Sequence, residues 1–102
     1  MTENVFLVMF DAKVKTIAQR RNYRRFIKDL KGYGYQMLQK SVYYKYVDSY
    51  EKIKKEERRL NLIVKPTIEL RALVLSYLVF AKMINVNCDP VVFWEREDII
   101  CV

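Results

Sequence analysis

The chain has 102 residues, enough for one domain with a core, and 52% of them are hydrophobic, including eight Tyr and five Phe, which argues against disorder. Lys and Arg outnumber Asp and Glu by 19 to 12, a formal net charge of +7, so an anionic partner is expected: nucleic acid, an acidic protein or an anionic membrane surface. The absence of histidine and the presence of only two glycines exclude Ser-His-Asp and Cys-His catalysis, His-ligated zinc and a Gly-rich phosphate loop.

Val5-Phe6-Leu7-Val8-Met9-Phe10 reads as a short strand covered on both faces and ended by an acid, Asp11. After a basic connection with Lys13 and Lys15, Thr16 stands three residues before Gln19, the spacing of a capping box that opens a helix. Tyr23, Phe26, Ile27 and Leu30 then fall at i, i+3, i+4 and i+7, a buried stripe. Arg20, Arg21, Arg24, Lys28 and Lys31 gather along the flank beside it. Gly32 and Gly34 bracket the stop, where a left-handed residue is usually needed.

Residues 35–47 are aromatic and β-branched and favour extended structure. Their alternation is uneven, and a break near Lys40-Ser41 repairs it by giving two strands in a tight hairpin. One strand buried on both faces is the other reading. Asp48, three residues before Glu51, predicts a second capping box and a helix toward Val64. Its apolar marks are Tyr50, Ile53, Leu60 and Val64, interrupted by Glu57. Lys52, Lys54, Lys55, Glu56, Arg58 and Arg59 read as its solvated face. Pro66 ends that helix.

Residues 67–75 alternate as a half-buried strand, with Ile68, Leu70, Ala72 and Val74 on one face and Glu69 and Arg71 on the other. Ser76 can cap a short turn or helix through Met83. Ile84, Val86 and Cys88 alternate with Asn85 and Asn87, which predicts a last brief strand ending at Asp89-Pro90. The tail carries Phe93, Trp94, Ile99 and Ile100 and needs cover from its own domain or a partner's.

This order predicts an α+β, ferredoxin-like split βαββαβ fold: a four-stranded antiparallel sheet, two helices on one face, and a C-terminal strand extension. Residues 1–90 form the domain, and residues 91–102 the extension, packed on its own or a partner's sheet. Helices on one face leave the other sheet face open, and apolar residues of both parities in the second and third strands point to a homodimer through it. Cys88 and Cys101 lack CxxC spacing and fit reduced thiols in a cytoplasm. No secretory signal is visible, and the apolar-rich run Leu73 to Ile84 is broken by Ser76 and Lys82, short of the roughly 20 residues a membrane span requires. A soluble cytoplasmic protein is expected, with no membrane partner.

The chemistry left is that of carboxylates with basic help. Asp11 is the candidate, and its other reading is a turn or capping residue. One carboxylate holds magnesium poorly, because Mg2+ prefers octahedral oxygen coordination. In a two-fold dimer, Asp11 and its symmetry mate could share Mg2+ and polarise a phosphodiester. The Arg20, Arg21, Arg24, Lys28 and Lys31 flank, with Lys13 and Lys15, suits phosphate contacts that position a nucleic acid without reading its sequence.

Three segments carry a resemblance to a known family: Val8-Met9-Phe10-Asp11, then Tyr23-Arg24-Arg25-Phe26, then residues 34–43, GYQMLQKSVY. In this order and spacing they resemble the CRISPR-associated protein 2 family, in the branch accompanying single-effector systems. The resemblance covers roughly the first half of the chain; beyond Asp48 only length and element order match. It implies a ferredoxin-like homodimer that bridges two dimers of a CRISPR-associated integrase and helps capture foreign duplex DNA for insertion into the CRISPR array. It also implies a metal-dependent nuclease, acting on DNA or RNA, with Asp11 as metal ligand. Relatives carry a Pro shortly after that Asp, where Ala12, Lys13 and Val14 stand here. The scaffold is the preferred reading, with the magnesium-dependent endonuclease as its alternative and a toxin-like ribonuclease on the same fold as a weaker third.

Overall fold

The computed structural model describes residues 3–89. The elements run β1 (Asn4–Ala12), α1 (Ile17–Gly32), β2 (Gln36–Gln39), β3 (Val42–Val47), α2 (Tyr50–Ile63), β4 (Ile68–Ser76) and α3 (Tyr77–Ala81). The strands form one antiparallel sheet in the order β2-β3-β1-β4, with β1 flanked by β3 and β4. This is the predicted α+β ferredoxin-like core. The expected extension, residues 91–102, lies outside the described residues.

Strand alternation divides the core in two. Phe6, Val8 and Phe10 of β1 join Tyr43 and Val47 of β3 beneath Phe26 and Leu30 of α1 and Leu60 and Ile63 of α2. Phe10 meets Phe26 edge-on at 5.0 Å between centroids and stacks on Tyr43 at 5.8 Å; such ring pairs add about 0.5–1.5 kcal/mol beyond area burial. With Phe10 held there, Asp11 must point to the opposite face.

On that face the expectation of an open sheet needs correction. Phe80 of α3 packs on Val5 and Tyr44, with Leu7, Leu38, Tyr46, Leu75, Tyr77 and Met83 around them. Ser76 caps α3 as expected, accepting from the Val79 amide at 3.2 Å. One end of this face is therefore covered within the chain, and Met9, Asp11, Glu69, Arg71 and Leu73 remain exposed at the other.

The local signals of α1 form as predicted. Thr16 and Gln19 exchange capping hydrogen bonds at 3.0 and 3.1 Å, and Gly34 takes the left-handed conformation with φ +91°. The hairpin turns at Lys40-Ser41, with Ser41 at φ 66°. Other expectations fail. The N-cap of α2 is Ser49, not Asp48: Ser49 accepts from the Lys52 amide at 3.2 Å, while Asp48 pairs with the Lys52 ammonium at 2.8 Å. Residues 84–88 form no strand; Asn87 at φ 56° breaks the extended run, and Ile84 and Val86 stay exposed.

The largest departure is in α2. Its buried residues are Glu56, Leu60 and Ile63, whereas Tyr50 is exposed. Glu56, expected on the solvated face, is only 3% exposed. Its carboxylate accepts from Tyr35 Oη at 3.0 Å, Lys45 Nζ at 2.9 Å and an Arg59 guanidinium nitrogen at 3.2 Å. Lys45 also donates to the Tyr33 carbonyl at 2.6 Å, and Arg59 lies 4.8 Å above the Tyr33 ring. Buried charge survives only when paired in this way. The network ties α2, β3 and the α1–β2 connection together. Burial, then the Glu56 carboxylate, raises the Tyr35 phenol well above its ordinary value.

Candidate functional site

Asp11 is the penultimate residue of β1, inside the strand rather than just beyond it. Its direct cross-strand partner on β4 is Glu69, and Met9 is paired with Arg71. Parity puts all four on the face opposite α1 and α2. Met9, Phe10, Asp11, Glu69 and Arg71 line a depression of about 370 Å³. On its other side Asp11 lines a second depression, of about 230 Å³, with Ala12, Val14, Tyr23, Lys40 and Ser41. The Phe10 amide donates to the Ser41 carbonyl at 3.1 Å, which clasps the hairpin turn against this end of β1.

The acid predicted to stand alone in its protomer thus has a second carboxylate beside it. Sequence reading placed Glu69 and Arg71 on one polar face of β4, but only the β1–β4 register sets them against Asp11 and Met9. Among the described residues neither Asp11 nor Glu69 is in an ion pair. No group of three or more His, Cys, Asp or Glu side chains suited to a metal occurs among them. A closed structural metal centre therefore does not fit. Magnesium fits the donor set, since it takes one or two carboxylates and leaves its other positions to water and phosphate oxygens.

The predicted cations divide. Arg21, Arg24, Lys28 and Lys31 are exposed on α1, and Arg21, Arg24 and Lys28 line a shallow depression with Arg25 and Asp29. Ion pairs among the described residues lie elsewhere, at Glu56, between Lys52 and Asp48, and between Lys54 and Glu57. The α1 cations are therefore held in no ion pair among the described residues, and they outnumber the one acid, Asp29, in their depression. Arg25, absent from the predicted flank, belongs to it, four residues after Arg21. Arg20 is drawn aside: its guanidinium donates to the carbonyls of Val14 and Lys15 at 3.2 and 3.1 Å. It shapes the β1–α1 loop that carries Lys13 and Lys15, both exposed. The Asp11 pair and the α1 cations line separate depressions.

Residues 4–83 match the family model described as CRISPR associated protein Cas2. The chain belongs to the Cas2 family. It is 32% identical over 77 residues to the CRISPR-associated endoribonuclease Cas2 of Lacticaseibacillus rhamnosus, covering 76% of each chain. It is 34% identical over 70 residues to the protein of the same name from Parvibaculum lavamentivorans, covering 69% of each. The crystal structure of Streptococcus pyogenes Cas2 at pH 6.5 superposes with a TM-score of 0.62 at 24% identity, covering 81% of this chain and 99% of that one; this likeness concerns the fold. Asp11, Glu69 and the α1 cations all lie within the residues matched to the Cas2 family.

Proposed function

We propose that the chain acts in CRISPR adaptation as a homodimeric scaffold, bridging dimers of an integrase and holding duplex DNA by its phosphates. The observation that carries this reading is the exposed cationic face of α1, held in no ion pair among the described residues, on a Cas2-family fold. Arg and Lys contacts to phosphates fix the position of a duplex without reading its sequence, as captured DNA of arbitrary sequence requires. The dimer is supported by Met9 and Leu73, exposed beside the Asp11 site on the face that α3 leaves uncovered.

A second reading is favoured by Asp11 itself and by the relatives named endoribonucleases. On this reading the protein is a magnesium-dependent endonuclease with Asp11 as ligand to the ion. Bound magnesium would supply charge stabilisation at a phosphoryl oxygen and an activated water. Asp11 would hold the ion, and Arg71, lining the same depression, would hold a phosphate near it.

Asp11→Asn separates the two readings, because it removes the charge while keeping the size of an exposed side chain. Metal-dependent cleavage by purified protein is expected to fall by orders of magnitude, while new spacers continue to be acquired by a strain carrying the variant. Dimers of the variant that sediment normally and bind integrase, yet support no spacer acquisition, would refute the scaffold reading.

A further inference from the structure

We infer that the depression between the β1–α1 loop and the β2–β3 turn is a subsite for one unpaired base of a nucleic acid strand, with Tyr23 as the ring on which the base stacks. The subsite is separate from the cationic depression of α1 and needs no metal at Asp11, so it goes beyond both readings of the function.

The depression, of about 230 Å³, is lined by Asp11, Ala12, Val14, Tyr23, Lys40 and Ser41. Sites for drug-sized ligands run to roughly 300–1,000 Å³, so this one suits a single ring system. Its walls are fixed by hydrogen bonds that exist without a ligand. On the β1–α1 loop, the Arg20 guanidinium donates to the carbonyls of Val14 and Lys15 at 3.2 and 3.1 Å, and the Lys13 amide donates to the Thr67 carbonyl at 3.0 Å. On the other wall, the Phe10 amide holds the Ser41 carbonyl at 3.1 Å, with Ser41 in the left-handed region at φ 66°. A pocket built in advance loses little to ordering when it binds.

The lining selects the ligand. Tyr23 belongs to the apolar stripe of α1 but is only half-buried; its ring tilts against Phe10, 6.4 Å between centroids, and also borders the depression. An aromatic ring accepts any base, because every base has a π-face. Val14, 44% exposed, adds an apolar wall. Asp11 and Ser41 supply a carboxylate acceptor and a hydroxyl for the polar edge of the base. Lys40 lines the depression and Lys13 and Lys15 flank Val14; all three are exposed and in no ion pair among the described residues. They are cations for the phosphates on either side of the base, the pairing of stacking ring and basic groove that single strands require. A base inside a duplex cannot enter without being unpaired. The ligand is thus a single strand, RNA or DNA.

The test measures binding of the full-length chain, by fluorescence anisotropy, to single strands of about eight nucleotides. The probes are oligothymidylate, oligouridylate and an abasic strand of the same length, which keeps the phosphates and lacks the bases. The parent is expected to bind a base-bearing strand about 5- to 150-fold more tightly than the abasic one, the worth of one base stack; comparison of the two base-bearing strands assigns the site to RNA or DNA. Tyr23→Leu keeps an apolar side chain against Phe10 and should remove most of that difference. Tyr23→Phe keeps the ring and should retain it. Affinity for duplex DNA should be unchanged in both variants. Val14→Asp, at an exposed position, should narrow the same difference and reads the pocket even if Tyr23→Leu does not fold. Equal affinity of the parent for base-bearing and abasic strands would overturn the inference. So would a difference that survives in folded Tyr23→Leu or in Val14→Asp.

Discussion

Replacing Arg21, Arg24 and Lys28 together by Ala tests the cationic face of α1. All three are exposed and free of ion pairs among the described residues, and Ala is the strongest helix former, so the helix should be kept. Arg20 stays in place because it holds the loop carbonyls of Val14 and Lys15. On duplex DNA each phosphate contact adds about 0.9 to the fall of log affinity with log salt. Three lost contacts should therefore flatten the slope by about 2.7 for every α1 that touches the duplex. Between roughly 50 and 200 mM salt, the parent should lose affinity about 40-fold more steeply than the variant. The assay is fluorescence anisotropy with two duplexes of unrelated sequence, across that salt range, with and without integrase. Both sequences should be weakened alike. A variant that stays folded and keeps the parental salt slope would show that DNA is held elsewhere and refute the assignment.

Glu56→Ala should be strongly destabilising, since removing one partner of a buried ion pair costs about 3–5 kcal/mol. The lower end applies, because the side chains of Lys45 and Arg59 keep 23% and 29% exposure and can recover some hydration. A melting-temperature drop of roughly 12 °C or more follows for a domain of this size; a loss under about 1 kcal/mol in urea unfolding would contradict the network's role. Stability should also fall as the solution becomes alkaline. Burial raises the Tyr35 phenol, reinforced by Glu56, and burial raises Tyr43, reinforced by Tyr23. Unfolded tyrosine loses its proton near pH ~10 while the native phenols keep theirs, so the native state binds more protons and is destabilised as pH rises through that region. Melting curves across this range should fall less steeply for Tyr35→Phe than for the parent; equal slopes would refute the argument.

Wherever the determining interactions are local, the residues announced the structure. The Thr16–Gln19 box, the Tyr23-Phe26-Ile27-Leu30 stripe and the left-handed Gly34 depend on residues within a turn or two, so the start, buried face and end of α1 could be read directly. The same periodicity that buried the stripe exposed the cations beside it. The hairpin was legible because uneven alternation requires a break between its strands. Local competition already strained this reading at α2, where Asp48 and Ser49 are adjacent cap candidates and only the backbone path selects Ser49.

Non-local pairing decided the rest. Glu56 looked solvated because the groups that make its burial tolerable, Tyr35 and Lys45, lie 21 and 11 residues away and reach it only once the α1–β2 connection and β3 are brought against α2. Residues 84–88 carry an alternating pattern, but a strand also needs a free ladder in register, and the chain turns at Asn87 instead. Asp11 was visible as a residue, but its partner was not. A shift of one residue between β1 and β4 would have sent Glu69 to the other face of the sheet, because side chains alternate with period two. That register is set by burying Phe6, Val8 and Phe10 against the helices, and no short stretch of sequence contains it.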